Sequence, residues 1–136
     1  MTRRFLDTNV LVYADDLDAA VKRRRAREIL RDAVRSGDGV VSTQVLQEFF
    51  VISTRKLGVE PGVARRKVEL LAEMDVVRID LRLILAAIDL HRLESISFWD
   101  ALVVRAAVAA GCRTLLTEDL QHGQVINGVR VENPFR

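Results

Sequence analysis

The chain has 136 residues, of which 49% are hydrophobic and 29% charged, and its net charge is +2. These values predict one globular domain over residues 1–136 and exclude a disordered chain. No stretch approaches the roughly 18 apolar residues of a membrane span. The only cysteine, Cys112, excludes an internal disulfide, and the short lead into the first strand leaves no room for a signal peptide. We therefore expect a cytoplasmic protein that makes no membrane contact.

Hydrophobic periodicity and turn residues predict strands that alternate with helices along the chain. The predicted strands are residues 5–6, 40–41, 76–79, 114–117 and 129–131. The first predicted helix begins near residue 9, and the others span residues 18–35, 43–57, 61–74, 81–93 and 98–110. This alternation predicts an α/β fold with a mainly parallel sheet and helices on both faces.

Asp7 directly follows the first predicted strand and precedes the first helical turn. In an open α/β sheet, ligands bind in the crevice beyond the carboxyl ends of the strands, where Asp7 is expected to lie. Aspartate is also a favoured N-cap, so capping of the turn that begins near Asn9 is an alternative role. The position of Asp7 alone does not separate these two roles.

Three more carboxylates occupy comparable positions. Glu48 lies in the second turn of the helix after the second strand, Asp100 in the first turn of the helix opened by Ser97, and Asp119 just after the fourth strand. Together with Asp7, they are expected to face one cleft. Structural alternatives exist for each: Glu48 as an exposed helix residue, Asp100 as part of a capping box, and Asp119 as an ordinary loop acid in competition with its neighbour Glu118.

A cluster of carboxylates without balancing cations is unfavourable, because each charge raises the pKa of the others. Such a cluster is suited to a hard divalent cation, and Mg²⁺ or Mn²⁺ prefers oxygen ligands, keeps several waters and shares positions with substrate phosphates. Bound in this way, the metal supports phosphodiester cleavage. Thr8, Asn9 and Thr117 are suitable groups to orient the carboxylates.

Other polar and aromatic residues are assigned to structural roles. His91 and His122 have no nearby ligand partners in the sequence and are predicted to be non-catalytic. Trp99 is predicted to pack in the core rather than to form a platform for stacking bases.

A dense basic segment runs from Lys22 to Arg35. A basic patch is the electrostatic footprint of phosphate binding, but a charged run on a helix is more often a solvated face. Asp18, Glu28 and Asp32 partly neutralise the segment, so the sequence leaves both interpretations open.

Four segments resemble the motifs of PIN-domain proteins, and more narrowly those of VapC-type toxins of bacterial toxin–antitoxin pairs. They are residues 5–14 (FLDTNVLVYA), 42–50 (STQVLQEFF), 97–102 (SFWDAL) and 116–120 (LTEDL). The end of the chain, from Gly123 to Phe135, is similar to that of one common subgroup. The four motifs occur in the family's order and spacing, and the resemblance covers essentially the whole chain.

The resemblance implies a three-layer α/β/α sandwich around a mainly parallel sheet of four or five strands. It implies Mg²⁺- or Mn²⁺-dependent cleavage of RNA, with Asp7, Glu48, Asp100 and Asp119 as the metal-binding and catalytic acids. It also implies a homodimer and a cognate antitoxin lying across the groove of the toxin. An apolar helix face that contains Phe49 and Phe50 would suit that partner.

Two alternatives without nuclease activity are a receiver-like phosphoacceptor domain and a PIN-like domain that acts through protein partners. A receiver-like domain needs a lysine near its last strand, and the lysines here are Lys22, Lys56 and Lys67, none of which is there. The presence of all four acids argues against a silent PIN-like domain.

Overall fold

The computed structural model describes residues 2–136, and in them six strands alternate with six helices. The strands are β1 (Arg4–Leu6), β2 (Gly39–Ser42), β3 (Asp75–Val77), β4 (Thr114–Leu116), β5 (Val125–Ile126) and β6 (Val129–Glu132). The helices are α1 (Thr8–Tyr13), α2 (Ala20–Ser36), α3 (Thr43–Arg55), α4 (Pro61–Leu71), α5 (Leu81–Leu93) and α6 (Phe98–Ala109).

One sheet joins all six strands in the order β3-β2-β1-β4-β6-β5. Every pairing is parallel except that of β5 with β6. Because parallel crossovers are right-handed, the reversal of direction after β3 places α1 to α4 on one face and α5 and α6 on the other. The packing agrees, since α3 contacts α1 and α4 while α5 contacts α6. The predicted three-layer α/β/α sandwich with a mainly parallel sheet is confirmed.

The core lies on both faces of the central strands. Phe5 and Leu6 of β1 and Val40 and Val41 of β2 are fully buried. Such uninterrupted apolar pairs are typical of parallel strands that are covered on both sides. Phe49 of α3 is also buried, so this residue belongs to the core and not to an exposed apolar face.

The sheet has six strands, one more than the five that the sequence predicts. The extra strand, β5, pairs antiparallel with β6 across Asn127 and Gly128, whose φ angles are 50° and 79°. An Asn-Gly pair with positive φ at both residues is the preferred two-residue hairpin turn, because its twist matches that of the strands. The strand was missed because its two residues are too few to show alternation.

The third strand also differs from its prediction, beginning at Asp75 and ending at Val77 rather than at Ile79. The reason is that the Ile79 N–H donates to the Thr43 hydroxyl at 3.1 Å instead of continuing the ladder.

Side-chain caps begin three helices near the carboxyl edge of the sheet. The Thr8 N–H donates to the Asp7 carboxylate at 2.7 Å, and the Ser42 hydroxyl accepts from the Val45 N–H at 3.2 Å. The predicted cap at Ser97 is present as well. Since β1 ends at Leu6 and β2 at Ser42, α1 and α3 begin at the edge where the predicted site lies. Among residues 2–136, no helix combines the length and apolarity needed to cross a bilayer.

Candidate acidic active site

A cleft of about 610 Å³ opens at the carboxyl edge of the sheet. All four carboxylates singled out by the sequence line it: Asp7, Glu48, Asp100 and Asp119. Residues scattered over more than a hundred positions are therefore gathered around one opening. Glu118 also lines the cleft, so its relation to Asp119 has to be decided by its contacts.

Asp7 is the deepest of the four acids, with 5% of its surface exposed. One carboxylate oxygen accepts the Thr8 N–H at 2.7 Å, and the other accepts the Thr117 hydroxyl at 2.8 Å. The backbone N–H of Asp7 donates to Leu116 at 3.0 Å, which holds the residue against the end of β4. Asp7 therefore both caps α1 and faces the cleft, so the two roles left open by the sequence are combined in one residue.

Burial raises the pKa of Asp7 from 3.8 to about 6. The hydrogen bonds from Thr117 and Thr8 oppose this effect, and the charges of Asp119 and Glu48 add to it. Asp7 therefore ionises less readily than a free aspartate, and a positive charge in the cleft would favour its ionised form.

Glu48 projects from the second turn of α3. The Thr8 hydroxyl donates to one of its carboxylate oxygens at 2.6 Å, and the Gln44 amide lies 3.5 Å from the other. Gln44 also lines the cleft, and its side-chain oxygen is buried without a protein donor. That oxygen is free to accept a hydrogen bond from a group bound in the cleft.

Asp100 lies in the first turn of α6, and its N–H donates to the Ser97 hydroxyl at 3.0 Å. Burial raises the pKa of its carboxyl, Ser97 opposes the rise, and the charges of Asp119 and Glu48 reinforce it. The helix cap and the cleft-facing carboxylate therefore coexist, as at Asp7.

Asp119 is the most exposed of the four acids and is held by Asn9, whose amide donates to the carboxylate at 3.1 Å. The N–H of Asp119 donates to the Thr117 hydroxyl, also at 3.1 Å. Together with the contacts of Thr8, these bonds confirm that the three predicted polar neighbours orient the acids.

The carboxylate of Glu118 is hydrogen-bonded to Tyr13 and Lys22. The Tyr13 hydroxyl donates to one of its oxygens, and the Lys22 ammonium donates to the other at 2.9 Å. Burial alone would raise the pKa of Glu118, but these two partners hold it below its usual value. Of the two neighbouring acids, it is Asp119 and not Glu118 whose charge raises the pKa of Asp7 and of Asp100. Sequence reasoning missed this network because its members are up to 105 residues apart.

Trp99 is 61% exposed and lines the cleft, so the prediction that it packs in the core is wrong. It follows Phe98, which is partly buried against the core, and successive helix residues point about 100° apart. His91 and His122 make hydrogen bonds to backbone groups and do not belong to the lining of the cleft.

The donor set fits a hard divalent cation, because the groups that converge on the cleft are carboxylate oxygens with fixed hydrogen-bond partners. Within residues 2–136, no group of three or more acidic, histidine or cysteine side chains is arranged to hold a metal ion by itself. An open arrangement suits Mg²⁺ or Mn²⁺, which keeps several waters and needs only one or two direct carboxylate ligands.

Solved structures with the same fold include toxin–antitoxin complexes. The DNA-bound VapBC complex of Salmonella typhimurium matches with a TM-score of 0.71 and 18% identity over 98% of this chain and 99% of that chain. VapBC2 of Rickettsia felis, bound to a promoter DNA fragment, matches with a TM-score of 0.69 and 19% identity over 97% and 98%. Mycobacterium tuberculosis VapC20, a sarcin–ricin loop cleaving toxin, matches with a TM-score of 0.60 and 20% identity over 82% of this chain and 86% of that chain.

No curated protein matches the sequence. The family model of the PIN domain matches residues 4–126, a span that contains all four carboxylates of the cleft. The chain therefore belongs to the PIN domain family.

Proposed function

We propose that this protein is a Mg²⁺- or Mn²⁺-dependent endoribonuclease and the toxin of a toxin–antitoxin pair. The observation that carries the proposal is the cleft in which Glu48, Asp100 and Asp119 gather around the buried carboxylate of Asp7. Membership of the PIN family and a fold shared with a sarcin–ricin loop cleaving toxin support RNA as the substrate. We propose that this activity is exerted on RNA in the cytoplasm.

Asp7, Glu48, Asp100 and Asp119 are the residues that would hold the cation. When bound, such a cation activates water and stabilises the charge that develops on the leaving oxygen of a phosphodiester. The protein itself orients the carboxylates through hydrogen bonds. The Thr8 hydroxyl holds the carboxylate of Glu48, and the Thr117 hydroxyl holds that of Asp7.

An antitoxin partner is part of the proposal. The complexes of Salmonella typhimurium and Rickettsia felis that share this fold are toxin–antitoxin pairs. Beside the cleft, Leu46, Phe50, Val51 and Val68 line an apolar hollow, and Phe50 and Val51 are 36% and 46% exposed. A partner segment that covers this hollow would reach the cleft, because Val51 lines both.

A homodimer is proposed on the outer face of α5. Leu81, Leu85 and Ile88 follow one another at helical spacing and are 68%, 53% and 39% exposed. An exposed apolar stripe of this kind marks an interaction surface. Light scattering of the wild type and of Leu85→Glu tests it: a dimer that the substitution converts to a monomer is expected, and a monomeric wild type would contradict it.

RNA cleavage by purified protein tests the nuclease directly. A mixed RNA pool should be cleaved in Mg²⁺ or Mn²⁺ and left intact in chelator. Asp7→Asn should lower the rate by roughly a hundredfold or more, since an amide lacks the charge that holds the cation. Glu73→Gln is the control, because Glu73 is an exposed acid that does not line the cleft. Full activity of Asp7→Asn would contradict the assignment, and an inactive wild type would favour a PIN-like module that acts through protein partners.

A further inference from the structure

Helix α2 carries a charge that differs sharply from that of the rest of the chain. Its 17 residues include seven lysines and arginines and two acids, so the helix has a net charge of +5, whereas the whole chain has +2. The remainder of the protein is therefore net negative. This imbalance concentrates the positive potential of the molecule on one helix.

Arg24, Arg31 and Arg35 lie on one side of α2, at spacings of seven and four residues. All three are exposed, and none takes part in an ion pair among residues 2–136. The eleven steps from Arg24 to Arg35 correspond to a rise of about 16 Å along the helix axis. These side chains are thus available to a ligand with several negative charges spread over that length.

The arginines line a continuous shallow groove. One hollow is bordered by Arg23, Arg24, Arg27 and Arg31, and the next by Arg27, Arg31 and Arg35. Because the two hollows share Arg27 and Arg31, guanidinium groups border the surface without interruption. We call these five arginines the α2 arginine face.

Helix α2, which carries this face, packs beside the acidic cleft. Lys22, in the first turn of α2, bonds to Glu118 in the cleft wall at 2.9 Å. Arg27 donates to the carbonyl of Ala14 at 2.7 Å, one residue beyond Tyr13, which lines the cleft. These two contacts fix the start and the middle of α2 next to the proposed active site.

The cleft itself repels a polyanion. Six carboxylate side chains and one lysine are among the residues that line it. A cation in the cleft can hold the phosphate that reacts, but the phosphates on either side still meet a negative surface. A neighbouring basic surface would attract those flanking phosphates and raise the rate of encounter.

We propose that the α2 arginine face binds the phosphate backbone of the RNA strand that flanks the cleavage site. The proposal rests on the proposed nuclease function for the identity of the ligand, but its test measures binding and does not require cleavage. Because contacts to the phosphate backbone carry no sequence information, the face adds affinity with little dependence on sequence.

The test compares charge-matched variants in an Asp7→Asn background, which keeps the RNA intact. The first variant carries Arg24→Gln, Arg31→Gln and Arg35→Gln, and a second carries lysine at the same positions. The control variant carries Arg92→Gln, Arg113→Gln and Arg130→Gln, which removes three exposed arginines that lie outside α2. The probe is a fluorescein-labelled, 20-nucleotide single-stranded RNA of mixed sequence, and anisotropy is measured from 50 to 300 mM salt.

The glutamine variant of α2 should bind the RNA about tenfold more weakly, and the slope of log K against log salt should fall by roughly 2, as expected for three lost phosphate contacts on a single strand. The lysine variant should retain most of the affinity, and the control variant should change it less than twofold. If the α2 glutamine variant and the control variant lost RNA affinity equally, the effect would come from net charge alone, and the proposal would be overturned. Unchanged binding by the α2 glutamine variant would overturn it as well, whether or not the wild type cleaves RNA.

Discussion

The hydroxyl of Thr117 donates a 2.8 Å hydrogen bond to the carboxylate of Asp7, joining the ends of two adjacent parallel strands across 110 positions of sequence. The same hydroxyl accepts the Asn9 amide and the Asp119 N–H, each at 3.1 Å. One buried oxygen therefore makes one donor and two acceptor contacts, which is the full capacity of a hydroxyl. The relative positions of Asp7 and Asp119 depend on it.

Thr117→Val should therefore weaken the site without removing a carboxylate. Losing the bond from Thr117 raises the pKa of Asp7 further, because that bond favours the charged form. Mn²⁺ binding, followed by calorimetry from pH 5 to 8, should then need a higher pH than in the wild type. Thr117→Ser keeps the hydroxyl and is the control. Superimposable pH profiles for the valine variant and the wild type would show that the bond does not tune Asp7.

The burial of Asp7 should make the metal-free protein less stable as pH rises. Its folded pKa of about 6 exceeds the unfolded value of 3.8. Below the lower value both states hold the proton, and between the two values the unfolded chain has released a proton that the native state retains. The free energy of unfolding therefore falls as pH rises through this window, by roughly 3 kcal/mol for a shift of about two units.

Asp7→Asn removes the titrating group while keeping the oxygen that caps α1. In chelator, the stability of this variant relative to the wild type should grow between pH 4 and pH 7, as measured by urea denaturation. Saturating Mn²⁺ should shrink the difference, because a ligand of the native state stabilises only the protein that binds it. A difference that does not change with pH would mean that Asp7 does not titrate in this range.

Asp100→Asn should also stabilise the metal-free protein at neutral pH while abolishing cleavage. Burial and the charges of Asp119 and Glu48 raise the pKa of Asp100, so its ionised form is disfavoured in the native state. Its helix cap uses the Asp100 backbone N–H, which the substitution retains. Thermal melting at pH 7.5 in chelator measures the effect, and a lower melting temperature than that of the wild type would speak against a coupled acidic cluster.

Asp119 and Glu118 should respond differently to neutralisation. Asp119→Asn is expected to abolish RNA cleavage, because it removes one of the four carboxylates proposed to hold the cation. Glu118→Gln is expected to leave a measurable rate and to lower stability, since it loses the charged partner of Lys22. Cleavage rates and melting temperatures of the two variants decide the matter. A larger loss of activity from Glu118→Gln than from Asp119→Asn would mean that Glu118, and not Asp119, is the acid of the active site.

Trp99 should contribute to RNA affinity and little to stability. It is 61% exposed at the cleft, and an aromatic face at such a position can stack on a base. Trp99→Ala should weaken RNA binding by about 1–3 kcal/mol, the usual contribution of one stacked base. Trp99→Phe should retain part of this binding free energy, because phenylalanine keeps an aromatic face. Anisotropy with a single-stranded RNA measures this, and equal affinity of the alanine variant would show that Trp99 does not touch the strand.

The positions that could be predicted from sequence were those fixed by local patterns. The apolar pair before Asp7 predicts a buried strand, and the Ser42 and Ser97 caps predict where α3 and α6 begin. Because parallel strands end at one edge, these local elements were enough to place Asp7, Glu48 and Asp100 around a common cleft.

Features that depend on contacts between distant residues could not be predicted in the same way. The pairing of Lys22 with Glu118 spans 96 positions and has no local signature. Trp99 was assigned to the core because tryptophan is usually buried, whereas its rotation on α6 turns it towards the cleft. Strand β5 had a local signal, the Asn127-Gly128 turn, but its two residues show no periodicity.

The central claim is that four carboxylates act together as one cation site. Calorimetric titration of Mn²⁺ at pH 7.5 into the wild type and four single variants tests it most directly. The variants are Asp7→Asn, Glu48→Gln, Asp100→Asn and Asp119→Asn, with Glu73→Gln as the control. The account predicts binding by the wild type and the control and at least about tenfold weaker binding by each of the four. Mn²⁺ affinity that is the same in all six proteins would contradict it.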